Sequence, residues 1–191
     1  MICIVLIIGG ASGTGKSELA YKIANKYGIS VLEFDDIHNA VKPFASPEEF
    51  PAIHDLDGHK WMELGVERNV NWLKDVSREM FETLKRIVDR HIEDNVPVII
   101  EGDFIHPEFV STIVNSKVKA LFVHESDIKQ VIDNFLSREG GEPQGFRADI
   151  SNKHGIWIAD VCKEKGINLI ESRPWNTVLN RAIEMIGDQE L

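Results

Sequence analysis

A glycine-rich segment near the start of the chain carries residue types that bind phosphate groups. It reads Gly10-Ala11-Ser12-Gly13-Thr14-Gly15-Lys16-Ser17 and fits the pattern G-x-x-x-x-G-K-[ST] in full. Glycines let the backbone turn its N–H groups toward an anion, and the start of a following helix adds positive potential. We therefore expect these eight residues to bind ATP, with Lys16 reaching the β- and γ-phosphates and the Ser17 hydroxyl ligating Mg²⁺.

The glycine-rich segment lies between a predicted strand and a predicted helix, which is the position that the motif requires. Residues 2–8 are a β-branched run typical of a buried strand, and residues 18–27 carry apolar side chains at helical spacing. Further strands are predicted at 31–34, 96–100, 118–123 and 167–170. Helical patterns lie at 61–95 (long enough for two helices), 108–114, 128–136, 156–162 and 178–186. The alternation predicts an α/β fold of three layers, a five-stranded parallel sheet with helices on both faces.

The composition of the whole chain narrows the class of partner. The chain has 191 residues, 43% hydrophobic and 27% charged, which fits one globular domain over residues 1–191. Acidic residues outnumber basic ones 31 to 21, and the net charge of −10 argues against nucleic-acid or anionic-membrane binding. Cys3 and Cys162 lack metal-ligand spacing and no apolar run reaches membrane-spanning length. We expect a cytoplasmic protein, either a monomer or a homodimer.

Several segments, in chain order, resemble those of small-molecule P-loop kinases. Residues 31–38 look like the acidic segment of uridine kinase, phosphoribulokinase and chloramphenicol phosphotransferase-type enzymes. Residues 98–102 resemble the apolar-strand-Glu-Gly segment of uridine kinase and of the 2-phosphoglycerate kinase group. Arg138 and Arg147 flank a glycine-rich stretch where such kinases carry a lid, here about 138–150, and residues 172–175 follow the last strand. The resemblance implies a P-loop NTPase fold that transfers the γ-phosphoryl group of ATP to a hydroxyl of a small molecule.

The resemblance also implies roles for individual side chains. Asp35 is expected to act as the base, although Asp36 remains an alternative, because a kinase must deprotonate or orient its acceptor hydroxyl. The remaining roles are metal binding for Ser17, Asp36 and Glu101, charge neutralisation for Lys16, Arg138 and Arg147, and nucleotide contact for Arg173 and Trp175.

The acceptor-binding region is expected within residues 38–72, where three prolines predict irregular structure up to residue 60. The candidate substrate residues, besides Asp35, are His38, His54, Asp57 and Trp61. No arginine lies between Asp36 and Trp61, whereas nucleoside monophosphate kinases usually present arginines to their phosphorylated acceptor. This departure counts against a phosphorylated acceptor.

Other functions remain open at this point. A nucleoside monophosphate kinase and a toxin-like kinase acting on nucleotide sugars share the expected fold. A regulatory NTP-binding switch would favour an Asn-Lys-x-Asp motif, which neither Asn25-Lys26 nor Asn152-Lys153 completes. The sequence does not identify the acceptor.

Overall fold

A computed structural model describes residues 3–56 and 60–187 and shows a five-stranded parallel sheet at the centre of the chain. The strands are β1 (Val5–Gly10), β2 (Ser30–Glu33), β3 (Val98–Gly102), β4 (Val118–His124) and β5 (Asn168–Glu171). They lie in the order β2-β3-β1-β4-β5, and Val5 of the central strand pairs with Val98 on one side and Val118 on the other. The predicted fold class is confirmed.

Helices cover both faces of this sheet. They are α1 (Lys16–Tyr27), α2 (Phe34–Val41), α3 (Pro51–Asp55), α4 (Val66–Asp94), α5 (Pro107–Val110), α6 (Ile128–Glu139), α7 (Gly145–Lys165) and α8 (Trp175–Ile186). Short 3-10 turns lie at Lys42–Phe44 and Lys60–Glu63. None of the helices within the described ranges is long and apolar enough to cross a membrane.

Alternate residues of β1 serve the two halves of the core, because successive strand side chains point to opposite faces. Val5 and Ile7 pack in a cluster with side chains of α4 and α7, and Leu6 and Ile8 pack with α1 and α8. Every residue of β1 is buried. Burying one such aliphatic side chain stabilises the fold by about 1.5–3 kcal/mol, so the strand before the glycine-rich segment is firmly fixed.

Four predicted elements differ from the structure, and one of them is the stretch expected to be irregular up to residue 60, which contains the short helix α3. Residues 34–41, expected to end a strand and begin an irregular stretch, form the helix α2, with Asp35 and Asp36 in its first turn. Helix α4 is one continuous helix of 29 residues where the pattern allowed two. Helix α7 begins at Gly145 instead of near residue 156, which leaves only residues 140–144 between it and α6.

The carboxyl ends of parallel strands meet at one edge of the sheet, which is where ligands bind in such folds. The glycine-rich segment follows β1 there, Asp35 follows β2, and Asp103 follows β3. Side chains that are far apart along the chain are therefore brought together at this edge.

Candidate active site

The backbone of the glycine-rich segment requires glycine at two positions for both conformation and packing. Gly13 and Gly15 have φ angles of 78° and 89°, in the left-handed region that other residues rarely adopt. A Cβ atom on Gly15 would lie 2.7 Å from the Trp175 ring, and one on Gly13 would lie 2.8 Å from the Phe135 ring. The loop can therefore pass between α6 and α8 only because these residues have no side chain.

This loop borders a cavity of about 420 Å³, here called the phosphate-loop cavity. Its lining residues are Gly13, Thr14, Gly15, Lys16, Ser17, Glu18, Asn134, Ser137, Arg138, Arg173 and Trp175. The cavity thus unites most of the predicted loop residues with the predicted nucleotide contacts Arg173 and Trp175. Gly10 and Ala11 are not among the lining residues, and Ser12 lines a different cavity.

Side chains around the phosphate-loop cavity are held by direct contacts. The Trp175 indole N–H donates to Glu18 Oε1 over 3.0 Å, and Lys22 Nζ lies 4.7 Å from the centre of the Trp175 ring. Arg173 Nε donates to Glu125 Oε2 over 3.1 Å, and Asn134 Nδ2 donates to the Gly13 carbonyl over 2.7 Å. An aromatic ring and a guanidinium are therefore fixed beside the loop before any ligand is bound.

Lys16, the cation of the motif, is buried and forms an ion pair with Asp103. Burial alone would lower the pKa of Lys16, but the negative charges of Asp103, Glu101 and Asp35 outweigh it and raise that pKa. Burial alone would raise the pKa of Asp103, but the charge and hydrogen bond of Lys16, with smaller contributions from His154 and Arg147, outweigh it and lower that pKa. Both groups are therefore charged near neutral pH. The sequence analysis missed Asp103, although it directly follows the Glu101-Gly102 segment that was singled out.

Asp35 supports Asp103 from the neighbouring strand end. Its Oδ1 accepts the Asp103 backbone N–H over 3.0 Å, and a Cβ atom on Gly102 would lie 2.9 Å from that oxygen, so glycine permits the close approach. Burial raises the pKa of Asp35 to about 7, with a further contribution from the charge of Asp103 that exceeds the opposing effect of Lys16. A carboxyl group that titrates near neutral pH suits acid–base chemistry. The role of Asp35 as a base remains a prediction.

The predicted metal ligands separate into two groups. Glu101 is buried, its carboxylate hydrogen-bonds with the Ser17 side chain, and its Oε2 has no hydrogen-bond partner among the described residues. A buried acceptor oxygen beside a hydroxyl fits Mg²⁺, which commonly binds one or two protein oxygens together with substrate phosphates. Asp36, in contrast, is exposed on α2. This exposed position does not support the prediction of Asp36 as a metal ligand, because the helical turn directs Asp35 inward and Asp36 outward.

A second cavity of about 400 Å³ lies on the other side of the Lys16–Asp103 ion pair, and we call it the tryptophan cavity. Its lining residues are Ser12, Trp61, Asn69, Trp72, Leu73, Asp103, Phe104, Arg147, Ile150, Ser151 and His154. They come from the loop, the turn before α4, α4 itself, the end of β3 and α7. Since Lys16 lines one cavity and Asp103 lines the other, the ion pair connects the two.

Of the predicted substrate residues His38, His54 and Trp61, which the structure describes, Trp61 alone lines the tryptophan cavity. His38 is buried with its ring centre 4.5 Å from that of Phe104, and His54 Nε2 lies 2.9 Å from the Ala45 carbonyl oxygen. Neither histidine lines either cavity, so their expected contact with substrate is not supported by their positions. Asp57 lies outside the described residues.

The two predicted lid arginines serve different cavities. Arg138, in the last turn of α6, lines the phosphate-loop cavity, and Arg147, in the first turn of α7, lines the tryptophan cavity. Both pair with Glu139, at 2.6 Å from Arg138 and 2.9 Å from Arg147. Hydrogen bonds from Gln144, Arg138 and Arg147 lower the pKa of Glu139 to about 2. The glycine-rich stretch is therefore a short link between helices whose ends are joined by ion pairs.

A buried histidine pair, which the sequence analysis did not find, supports the tryptophan cavity. His154 Nε2 and His106 Nε2 are 2.9 Å apart, and both rings are buried. Burial lowers the pKa of His154 to about 4, and that of His106 lies well below its ordinary value for the same reason. Both rings are therefore neutral near pH 7. A sequence signal was lacking because His106 and His154 are 48 positions apart.

Solved structures with the same architecture include two kinases. A gluconokinase from Sinorhizobium meliloti 1021 is 14% identical and matches 98% of this chain and 93% of its own, with a TM-score of 0.55. A shikimate kinase from Acinetobacter baumannii is 13% identical over 98% of this chain and 95% of its own, with a TM-score of 0.51. Such likeness establishes the fold, which is that of small-molecule P-loop kinases.

The chain belongs to the isopentenyl transferase family, whose pattern it matches over residues 3–138. Among curated proteins it is similar to 2-phosphoglycerate kinase from Methanocaldococcus jannaschii, with 24% identity over 97% of the chain. The chain spans 64% of the length of that relative. The resemblance to small-molecule P-loop kinases expected from the sequence is confirmed by these relatives and by the fold.

Proposed function

We propose that the protein is an ATP-dependent phosphotransferase that moves the γ-phosphoryl group to a hydroxyl of a small molecule. The observation that carries this proposal is the Lys16–Asp103 ion pair, which joins a cavity built around a phosphate-binding loop to a second, separate cavity. A phosphoryl donor and an acceptor must meet in line, with a cation near the transferred group and an oxygen base near the acceptor. The two cavities and the ion pair between them support the proposal that donor and acceptor meet in this way.

On the nucleotide side, the loop N–H groups and Lys16 would hold the phosphates, and Trp175 and Arg173 would contact the rest of the nucleotide. Ser17 and Glu101 would hold Mg²⁺, which supplies charge neutralisation on the phosphate oxygens when it is bound. The Glu101 Oε2 atom supports this assignment, because a buried acceptor oxygen with no hydrogen-bond partner among the described residues is costly.

On the acceptor side, Asp103 and Asp35 would act together. As the acceptor oxygen forms its bond to the γ-phosphorus, the bond from that phosphorus to ADP breaks, and the hydroxyl proton passes to a carboxylate. Asp103 lines the tryptophan cavity, and Asp35 fixes the Asp103 backbone through its N–H. We propose that Asp103 is the group nearest the acceptor. The neighbouring Asp35 carboxyl would share the negative charge of this carboxyl pair with Asp103.

The ion pair also gives a reason for nucleotide and acceptor to bind in order. Entry of ATP would place the negative β- and γ-phosphates near Lys16, and their charge would compete with Asp103 for the Lys16 ammonium group. Asp103 would then lose its cation, and its carboxylate would become a better proton acceptor. We infer that the acceptor carboxylate is active only when the nucleotide cavity is filled.

The relatives agree with this reaction class, since curated relatives of the chain are named as kinases. A nucleoside monophosphate kinase is less well supported, because Arg147 is the single arginine among the described residues that line the tryptophan cavity. The two cysteines are free and buried, which supports a reducing, cytoplasmic location.

The test is acceptor-dependent ADP release by the purified protein with ATP and Mg²⁺. A pool of hydroxyl compounds is divided until one compound accounts for the signal, and ³¹P NMR identifies its phosphate ester. Lys16→Ala provides the matched inactive control. A release of ADP that no acceptor increases, together with no phosphorylated product, would contradict the proposal.

The family description supplies a second candidate, transfer of an isopentenyl group. The aromatic and aliphatic walls of the tryptophan cavity favour it, because an isopentenyl chain is apolar. The same protein would then be incubated with radiolabelled dimethylallyl diphosphate and nucleotide, and label would be sought in a product after removal of the diphosphate. Incorporation of label without ADP formation would replace the kinase proposal.

A further inference from the structure

We propose that the tryptophan cavity accepts a hydroxyl compound with a flat apolar body and no more than one negative charge. This inference rests on the phosphotransferase function proposed above and names the class of its acceptor. It follows from three properties of the cavity. Its walls are aromatic, its charges are nearly balanced, and several of its polar groups already form hydrogen bonds within the protein.

The walls of the cavity are aromatic and held in place. The Trp72 indole N–H donates to the Ala52 carbonyl over 2.9 Å, and the Trp72 and Phe104 ring centres are 5.6 Å apart with the rings at 89°. Trp61 stacks on Phe146 with ring centres 6.1 Å apart and an angle of 15° between the planes. Fixed aromatic rings favour a flat apolar ligand, because such a ligand gains contact area without reordering the walls.

The charges of the cavity are nearly balanced before a ligand enters. Among the described lining residues, Asp103 is the one carboxylate and Arg147 the one guanidinium. Arg147 already contacts both carboxylate oxygens of Glu139, each at 2.9 Å, and its guanidinium lies 4.3 Å from the Phe135 ring centre. A ligand with one negative charge can pair with Arg147, which it would share with Glu139. A second negative charge on the ligand would lie near Asp103 and would have no counter-ion of its own among the described lining residues.

The histidine pair adds no further positive charge. His154 lines the cavity, and its Nε2 shares one proton with His106 Nε2, so one ring donates and the other must accept as a neutral imidazole. Asp103 favours a charged His154, but burial and the cations Lys74 and Lys16 oppose it. His154 therefore offers the ligand a polar edge, not a cation.

Two further polar side chains of the cavity, Asn69 and Ser151, are already engaged by the protein. The Asn69 amide nitrogen lies within hydrogen-bond distance of three carbonyl oxygens, at 2.9 Å for Trp61, 3.2 Å for Gly65 and 3.4 Å for Leu64. The Ser151 hydroxyl donates to the Ser12 carbonyl. A phosphate group needs several free donors, and these groups cannot serve it without breaking bonds that hold the turn and the loop.

The tryptophan cavity does not suit 2-phosphoglycerate, the substrate in the name of the curated relatives. 2-Phosphoglycerate carries a phosphate and a carboxylate on a three-carbon chain and has no flat apolar surface. The cavity as built offers such a molecule one shared guanidinium and three aromatic walls.

Four hydroxyl compounds test the separate parts of the inference. Benzyl alcohol is neutral with a ring, mandelate has a ring and one charge, glycerate has one charge and no ring, and 2-phosphoglycerate has a phosphate and a carboxylate. Binding to the protein with a non-hydrolysable ATP analogue is measured by saturation-transfer NMR and by tryptophan fluorescence, and ADP release is measured with ATP and Mg²⁺. We expect the two ring compounds to bind about tenfold or more tightly than the other two, a difference of about 1.4 kcal/mol.

Two variants link the binding to the cavity. Trp61→Ala should weaken binding of the ring compounds about tenfold, in line with the loss of one aromatic contact. Phe44→Ala is the matched control, since Phe44 is 90% exposed and lies in neither cavity, and it should change nothing. The Trp61→Ala protein should keep its affinity for the ATP analogue, which shows that it is folded.

The outcomes distinguish this inference from the proposed function. Tightest binding by 2-phosphoglycerate, or binding of the ring compounds that ignores Trp61, would overturn the inference while ADP release could still support a phosphotransferase. Ring compounds that bind in a Trp61-dependent way but are never phosphorylated would support the inference and count against the phosphotransferase. No binding by any of the four compounds at millimolar concentration would overturn the inference.

Discussion

The phosphate-loop cavity and the tryptophan cavity are of similar size but are built in different ways. The first is formed largely by consecutive residues, and its shape depends on Gly13 and Gly15 with positive φ angles. The second is assembled from side chains that lie on the turn before α4, on α4, after β3 and on α7. A site encoded by consecutive residues can be read from a motif, whereas a site assembled from distant elements depends on how those elements pack. The ligand of the phosphate-loop cavity can therefore be predicted from the sequence. The lining of the tryptophan cavity becomes known only from the structure.

The largest effect is expected at the residue that joins the two cavities. Lys16→Ala should lower kcat/KM about 10³-fold, because preorganised charge on the transferred group is commonly worth about 10²–10³-fold or more. Steady-state kinetics with the identified acceptor provide the measurement. Lys26→Ala, an exposed lysine in the last turn of the same helix, is the control and should stay within twofold of the parent protein.

The same variant tests whether the ion pair also stabilises the fold. Lys16 is buried against Asp103, so Lys16→Ala leaves that carboxylate without its partner. We expect the Tm to fall, and we expect Asp103→Asn in the Lys16→Ala background to restore part of it. If Lys16→Ala kept both its activity and its Tm, the two cavities would have to be treated as independent.

The next effect concerns the carboxylate that the sequence analysis missed. Asp103→Asn should lower kcat about 10²-fold with little change in the KM for ATP, because general-base assistance typically contributes about 10²–10⁴-fold. Asp36→Asn is the matched control, since Asp36 is an exposed carboxylate on α2, and it should stay within twofold. A large loss in Asp36→Asn with none in Asp103→Asn would invalidate the assignment of the acceptor side.

The strands and the loop could be predicted from the sequence, whereas helix α2 and the beginning of helix α7 could not. The five strands were predicted because each is a short apolar run, and the loop because its glycines have fixed spacing. Helix α2 was missed because its first turn holds Asp35 and Asp36, although acidic residues at that position favour a helix start. The beginning of α7 was missed because that helix buries residues on several sides, so no single apolar stripe marks it.

A third prediction uses pH to compare the two carboxyl groups at this edge. Asp35 has a pKa of about 7, with burial as the largest cause, and it faces Asp103, Lys16 and Glu101. If the ionised form is required, kcat/KM falls about tenfold for each pH unit below 7 and levels off above it. The measurement is a profile of kcat/KM from pH 5.5 to 9. In Asp35→Asn the acid limb near pH 7 should disappear and the plateau should be lower.

The stability of the protein should depend on pH in the opposite direction. The pKa of Asp35 is higher in the folded chain than its ordinary value, so the folded state binds the proton more tightly. Its contribution to stability is therefore greatest at low pH and is lost as the pH rises through about 7. Asp35→Asn should raise the Tm at pH 8 and leave it nearly unchanged at pH 4, as measured by thermal denaturation. A lower Tm at pH 8 would mean that the Asp35 charge stabilises the fold.

The smallest effect separates the two arginines that the sequence placed in one lid. Arg138 lines the phosphate-loop cavity and Arg147 the tryptophan cavity, although both pair with Glu139. Arg138→Ala should raise the KM for ATP a few-fold and leave that of the acceptor unchanged, and Arg147→Ala should do the reverse. The Tm of each variant should change little, because partly exposed ion pairs contribute only about 0–1 kcal/mol. Arg90→Ala, an exposed arginine on α4, is the control. If both variants instead raise the same KM and lower kcat together, the two arginines act as one lid. The assignment of Arg138 to one cavity and Arg147 to the other would then be wrong.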